Sequence, residues 1–148
     1  MTDSLYYSDF LLWTKDTVTK LLQRDYDHLD WENLIQEIAD LGNAYRDELE
    51  SRLEVLFEHY LKRLYVPFPD AFNGWERTIR EQRRRIKRRL QKTPSLRAFW
   101  DTAVAQAWQY AREAVGEDYP QCQFPEQWQY GTDIDTLLTV NFWEIRTT

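Results

Sequence analysis

NAYRDELESRLEVLFEHYLKRLY, residues 43–65, decides the fold of this 148-residue chain. Its apolar side chains recur every three or four positions, at Leu49, Leu53, Leu56, Tyr60 and Leu64. This spacing is typical of an amphipathic helix with one buried face, and neither Gly nor Pro interrupts it before Pro67. At 1.5 Å per residue the helix is roughly 30 Å long, about the width of a small domain. We expect the remaining segments to pack round it.

The composition favours a globular, helical protein. Hydrophobic residues make up 43% of the chain and charged residues 30%, and a count of only four Gly and five Pro argues against the many turns of a β-sandwich. The single Cys122 excludes an internal disulfide framework and a Cys-based zinc site. We therefore predict one all-α domain over residues 1–148, a compact bundle of five or six helices with a short C-terminal helix.

The first half of the chain holds two further predicted helices. Residues 1–7 are expected to be frayed, and Ser8 or Asp9 caps a helix that ends near Arg24. A second helix covers residues 31–41 after Asp30 as N-cap, and Gly42 then suits a left-handed turn. The alternative is a helix that runs through Gly42 at a cost of about 1 kcal/mol relative to Ala. The side chains expected to be buried in these two helices are Leu12, Trp13, Val18, Leu21, Leu22, Trp31, Leu34, Ile35, Ile38 and Leu41.

The second half begins with a helix breaker at residues 66–73, which contains two prolines. A fourth helix is predicted at residues 75–91, and Thr93 with Pro94 starts a fifth that ends at Gly116. Residues 117–131 form an aromatic loop. Thr132 or Asp133 caps a last short helix, after which Phe142 and Trp143 fold back onto the bundle.

Four ordered blocks of sequence resemble a known family. They are LDWENLIQEIADLG, ESRLEVLFEHYLKRLY, WERTIREQRRRI and TPSL, and they begin at residues 29, 50, 75 and 93. Together they resemble the small all-helical proteins grouped as domain of unknown function family twenty-nine. The residues that match typical positions of that family are Glu37, Leu41, Gly42, Leu53, His59, Lys62, Trp75, Ile79, Arg83, Pro94, Ser95 and Leu96. The resemblance implies an all-α fold and implies no activity.

Charge is distributed unevenly along the chain. Residues 1–61 carry a net charge of -9, whereas residues 76–92 hold nine Lys or Arg against two Glu, a net charge of +7. On the predicted fourth helix Arg77, Arg80, Arg84 and Arg88 project away from a narrow apolar seam at Trp75, Ile79, Gln82, Ile86 and Leu90. They predict a surface for nucleic-acid phosphates or an acidic partner, with a solvated face as the alternative. For Arg83 and Arg89, which flank the seam, and for Glu37 we expect structural ion pairs instead.

The sequence offers little to a catalytic site. Glu37 and Asp40 share a helix face and His59 is one of two histidines, but the Glu-x-x-His pairs of di-iron bundles do not occur. No Gly-rich phosphate loop, G-x-S-x-G turn or Cys–His arrangement is present. We therefore expect no catalytic residue, no metal and no cofactor.

The leading interpretation is a non-enzymatic interaction or regulatory module that binds an unidentified protein or itself. The alternative is a nucleic-acid-associated protein that uses the Arg-rich helix at residues 75–91. The sequence shows no small-molecule site, no signal peptide and no membrane-spanning stretch, so we expect a cytoplasmic protein.

Overall fold

The computed structural model describes residues 3–145, with side chains from Leu5 onward. Within these residues the chain is helical and contains no strand, which confirms the predicted all-α class. The six α-helices are α1 (Asp3–Ser8), α2 (Phe10–Leu22), α3 (Trp31–Tyr65), α4 (Phe72–Lys92), α5 (Trp100–Asp118) and α6 (Ile134–Thr139). Four 3₁₀ turns join or follow them, at Tyr26–His28, Pro69–Ala71, Pro94–Phe99 and Phe142–Glu144.

Contacts within the chain divide it into two compact units. One unit extends to Ala44 and the other begins at Tyr45, so α3 contributes residues to both. The organisation of residues 1–148 as a single domain stays a prediction.

The second unit has a continuous apolar core. The 43–65 stretch supplies Leu49, Leu53 and Leu56, each no more than 1% exposed, as its spacing predicts. Alanines of α5 pack close to these larger side chains. The other members of the core include Phe57, Tyr60, Ile79, Ile86, Leu90, Leu96, Trp100, Ala103, Ala107, Ala111, Leu137, Leu138 and Phe142. Burial of this many large side chains, at about 1.5–3 kcal/mol each, is what stabilises the unit.

The first unit buries far less than the sequence predicts. Trp13 is buried as expected and Leu34 is half-buried. The predicted burial of the other members is wrong, because they are exposed: Leu12, Val18, Leu21, Leu22, Trp31, Ile35, Ile38 and Leu41. Helical spacing shows that one face is apolar, but it does not show that another segment of the same chain covers that face.

The predicted turn at Gly42 is also wrong. The helix α3 runs through Gly42 without interruption, and no glycine of the described chain has a positive φ. Glycine adopts helical angles as readily as left-handed ones, and good helix formers on both sides offset its cost of about 1 kcal/mol. The alternative that the sequence left open is therefore the observed structure.

Side-chain caps begin three of the helices as predicted. Asp30 accepts a hydrogen bond of 3.4 Å from the Asn33 amide at the start of α3. Asp9 accepts a hydrogen bond from the Leu12 amide at the start of α2, and Asp133 accepts one from Thr136 at the start of α6. Residues 3–8 form α1 where fraying was predicted, and residues 1 and 2 lie outside the described residues. After Thr93 the chain first forms a 3₁₀ turn and becomes α-helical only at Trp100.

No helix of the described chain combines the length and the apolar character that crossing a membrane requires.

Replacement of Leu56 by Ala tests where the core lies. Leu56 is fully buried, and we expect Leu56→Ala to lower the free energy of unfolding by about 2–5 kcal/mol. Leu22 is 78% exposed, so Leu22→Ala is the matched control and should change it by less than about 0.5 kcal/mol. Urea denaturation followed by circular dichroism measures both, and equal losses would contradict the assigned core.

Candidate anion-binding groove

The helix α4 has a buried side and an exposed, positively charged side. Its buried side carries Ile79, Arg83, Ile86 and Leu90. The four arginines predicted to face outward are all exposed: Arg77, Arg80, Arg84 and Arg88. At 100° per residue Arg77, Arg84 and Arg88 lie opposite the buried side and Arg80 lies to one side of it, so burial of the seam directs positive charge toward solvent.

Arg83 lies inside the protein, with only 8% of its surface exposed. Its Nε donates a hydrogen bond of 2.8 Å to the Tyr60 hydroxyl, and its Nη1 donates one of 2.9 Å to Asn141 Oδ1. Its Nη2 donates to the carbonyl of Val140. The described ion pairs include no carboxylate partner for Arg83, so neutral acceptors take the place of the acidic partner that we expected.

Tyr60 continues this network toward the C-terminal helix. Its hydroxyl donates a hydrogen bond of 2.6 Å to the carbonyl of Leu137 while accepting the bond from Arg83. Burial raises the pKa of Tyr60 to about 12, and the neighbouring guanidinium partly opposes that rise. The phenol therefore stays protonated and keeps its donor role.

A groove of 630 Å³ lies between α3 and α4 in the second unit. Six cationic side chains and two carboxylates line it: Arg52, Arg84, Arg85, Arg88, Arg89 and Lys92, with Glu48 and Glu81. The lining therefore has a formal charge of +4, which favours an anionic ligand.

The two carboxylates do not neutralise the groove. Glu48 serves two guanidinium groups, because its Oε1 lies 3.1 Å from Arg52 Nε and its Oε2 lies 3.3 Å from Arg89 Nε. Glu81 pairs with Arg85 at 2.8 Å, one helical turn away. Arg84, Arg88 and Lys92 have no acidic partner among the ion pairs of the described residues.

Arg89 has a donor that is not satisfied. Its guanidinium lies over the Tyr45 ring at 4.9 Å from the centroid. Its Nε is close enough to Glu48 for an ion pair but has no acceptor in hydrogen-bond geometry, and this atom is buried. A buried N–H without an acceptor costs about 1–3 kcal/mol, and the charge of the nearby Glu48 carboxylate offsets part of this cost.

The structure separates the predicted outward arginines into two pairs. Arg84 and Arg88 line the groove, whereas Arg77 and Arg80 lie nearer the start of α4 and outside its lining. Arg52 was missed by sequence reasoning, although it stands one turn after Glu48 at the edge of the apolar stripe of α3. The signal for Arg52 in the sequence was a basic residue at the edge of the apolar stripe, where it faces the basic helix α4.

Glu37 and Asp40 hydrogen-bond within the first unit. Glu37 accepts a hydrogen bond from the Tyr6 hydroxyl, which raises the pKa of Tyr6 to about 12, and Asp40 accepts one from Gln36 at 2.9 Å. Glu37 and Asp40 belong to the first unit, whereas His59 belongs to the second. Between residues 3 and 145 no three His, Cys, Asp or Glu side chains converge as metal ligands would.

A larger cleft of 810 Å³ lies along α5 and is lined in part by Trp108 and Trp128. Its two indole donors are already paired, since Trp108 and Trp128 donate to the carbonyls of Glu126 and Gly131 at 3.2 and 3.3 Å. Its charged lining is mixed in sign. We favour the smaller groove as the binding site because its unpaired charges converge on one space.

The fold and the groove define the class of protein: it is all-helical, and its basic helix α4 faces solvent. Residues 5–143 match the sequence profile of the family described as Domain of unknown function DUF29. The match covers nearly the whole chain, so the chain belongs to this family, as the resemblance predicts. No curated protein and no solved structure matches the chain significantly.

Removal of the Arg83 side chain should destabilise the second unit. Arg83→Met leaves the Val140 carbonyl and the Asn141 amide oxygen without their donors, at an expected cost of about 3 kcal/mol. Arg83→Lys should recover only part of this lost stability, since one ammonium group cannot reproduce three directed hydrogen bonds. Urea denaturation compares both with Arg80→Met, and similar stabilities for Arg80→Met and Arg83→Met would contradict the role of the network.

His59 should make the protein less stable in acid. Burial lowers its pKa below the usual 6.5, and its Nδ1 lies 2.8 Å from the Val55 carbonyl. The unfolded chain therefore binds this proton at higher pH than the folded protein, and the free energy of unfolding falls as pH drops below 6.5. Denaturation curves between about pH 7 and pH 5 should show a smaller fall for His59→Gln.

His28 provides a control, because its pKa is shifted in the opposite direction from the pKa of His59. Its hydrogen bond with the Asp25 carboxylate raises the pKa of His28, so its contribution is present in acid and is lost as pH rises through the folded value. His28→Gln should therefore steepen the loss of stability in acid. An unchanged pH profile for His59→Gln would contradict the assignment to His59.

Proposed function

We propose that this chain is a non-enzymatic interaction module that binds an anionic partner through the groove between α3 and α4. The observation that carries the proposal is the excess of four positive charges around one concave space. The cations Arg84, Arg88 and Lys92, which have no acidic partner among the described ion pairs, support it further.

An acidic protein segment is the partner that these features favour. Five of the eight residues that line the groove are arginines, whose guanidinium groups suit the carboxylates of such a segment. The chain as a whole has a net charge of -6, which opposes the approach of a long phosphate polymer. Guanidinium groups bind carboxylates bidentately, and this gives the contact direction as well as charge.

Nucleic acid is the second candidate, and a separate observation favours it. The exposed arginines at positions 77, 80, 84 and 88 form a row along one side of α4. Eleven residues of helix extend over about 16 Å, which is long enough to follow several phosphates of a backbone. In this case the whole row contributes, and not the groove alone.

Charge reversal at two pairs of arginines separates the candidates. Arg84→Glu with Arg88→Glu should weaken binding of a fluorescent Glu-rich peptide at least about ten-fold at low salt. Arg77→Glu with Arg80→Glu is the matched control with the same change of net charge, and it should alter this affinity by less than about three-fold. Fluorescence anisotropy measures both, with circular dichroism to confirm that each variant is folded.

The same variants are titrated with random-sequence single-stranded DNA and RNA. If nucleic acid is the partner, both pairs should weaken binding and reduce the steep salt dependence of the affinity. Binding of neither peptide nor nucleic acid at low salt contradicts both candidates.

A further inference from the structure

The first unit exposes one apolar face of α3. Four large side chains form it, and their exposed fractions are 49% for Trp31, 62% for Ile35, 61% for Ile38 and 66% for Leu41. At 100° per residue they fall within an arc of about 120°, so they form one stripe and not scattered positions. An exposed apolar stripe of this kind marks an interaction surface.

The first unit has little core of its own to make up for this exposure. Its buried side chains among the described residues are Trp13, Thr17 and Leu29. The four side chains of the stripe leave on the order of 450 Å² uncovered, so two copies placed face to face would bury roughly 900–1,000 Å² with their flanks, near the lower limit for specific interfaces. Interfaces of this size belong to weak, transient associations, so we expect a dimer that dissociates on dilution.

The sizes of the side chains on the stripe are complementary under a two-fold rotation. Trp31 and Gly42 are equally distant from the midpoint between Ile35 and Ile38. A two-fold axis through that midpoint places Trp31 of one copy over Gly42 of the other, and Ile35 against Ile38. A Cβ atom added at Gly42 would meet nothing within 4 Å, so the space that the indole needs is open.

The same register keeps carboxylates out of the centre of the contact. At 100° per residue Asp40 lies on the side of α3 that faces away from the stripe, and Glu37 lies outside the arc of the stripe. A parallel arrangement would place each Trp31 against the Trp31 of the other copy and leave each Gly42 against a Gly42. The antiparallel arrangement is therefore the favoured one, because it pairs each indole with an open space.

We propose that a second copy of this chain covers the stripe, with the two α3 helices antiparallel about the midpoint of Ile35 and Ile38 and with Trp31 of each copy seated over Gly42 of the other. The contact is isologous, so each copy contributes the same surface and the assembly closes as a dimer. The groove between α3 and α4 is not needed for it.

Sedimentation equilibrium of the full chain over a range of concentrations tests the dimer. The wild-type chain should show a monomer–dimer equilibrium that shifts toward monomer on dilution. Ile35→Ser with Ile38→Ser should weaken it at least about ten-fold, because both side chains are anchors at the centre of the contact. Leu22→Ser is the control, since Leu22 is 78% exposed and lies outside the stripe, and it should stay within about three-fold of wild type.

An exchange of sizes tests the register. Trp31→Gly and Gly42→Trp should each weaken the dimer, the first by removing the indole and the second by filling its space. Both changes in one chain should restore association, because each new indole then faces a new glycine of the other copy. Circular dichroism of every variant confirms that loss of the dimer is not loss of the fold.

A wild-type chain that remains monomeric at every concentration overturns the proposal, and so does a dimer that the Ile35 and Ile38 changes leave intact. A dimer that the double exchange fails to restore overturns the antiparallel register. Binding of the Glu-rich peptide is measured on the same samples. A monomer that still binds it removes the dimer and leaves the proposed function standing.

Discussion

The buried guanidinium of Arg83 is the interaction on which the arrangement of the second unit depends. It binds a hydroxyl of α3 and two oxygen atoms of the segment after α6, and Tyr60 extends the same network to Leu137. A cation inside a protein is tolerated only when several acceptors replace its water. Because these acceptors come from two separate parts of the chain, Arg83 fixes the rotation of α4, and that rotation places Arg77, Arg84 and Arg88 outside.

The small number of described ion pairs on α4 explains why its positively charged surface remains available to a partner. Ion pairs are predicted for Arg83 and Arg89. Among the described ion pairs, Glu48 is the acid of residues 1–61 that pairs with α4, and Arg89 shares it with Arg52. Glu76 of α4 pairs with Arg63 of α3, so this carboxylate does not neutralise an arginine of α4. The helix therefore keeps a surplus of charge on the side that the seam leaves uncovered.

The sequence predicted most of the helices and the core of the second unit, because burial there follows a simple period. Leu49, Leu53 and Leu56 are buried where their spacing places them. The partners of Arg83 could not be predicted, since two of them are 57 and 58 residues distant and a backbone carbonyl leaves no trace in the sequence. The turn predicted at Gly42 failed because glycine is permissive, so its presence indicates either a helix or a turn equally well.

The exposed stripe of α3 shows what an apolar sequence pattern predicts and what it does not. The apolar spacing before Gly42 is as regular as the spacing after it, yet only the later part is buried within the chain. A regular apolar face is costly to leave in water, at about 0.8 kcal/mol for each exposed CH₂. The second copy that we propose would remove this cost by covering the face. Stability of the first unit is then linked by mass action to whatever binds it, so protein concentration becomes part of its folding equilibrium.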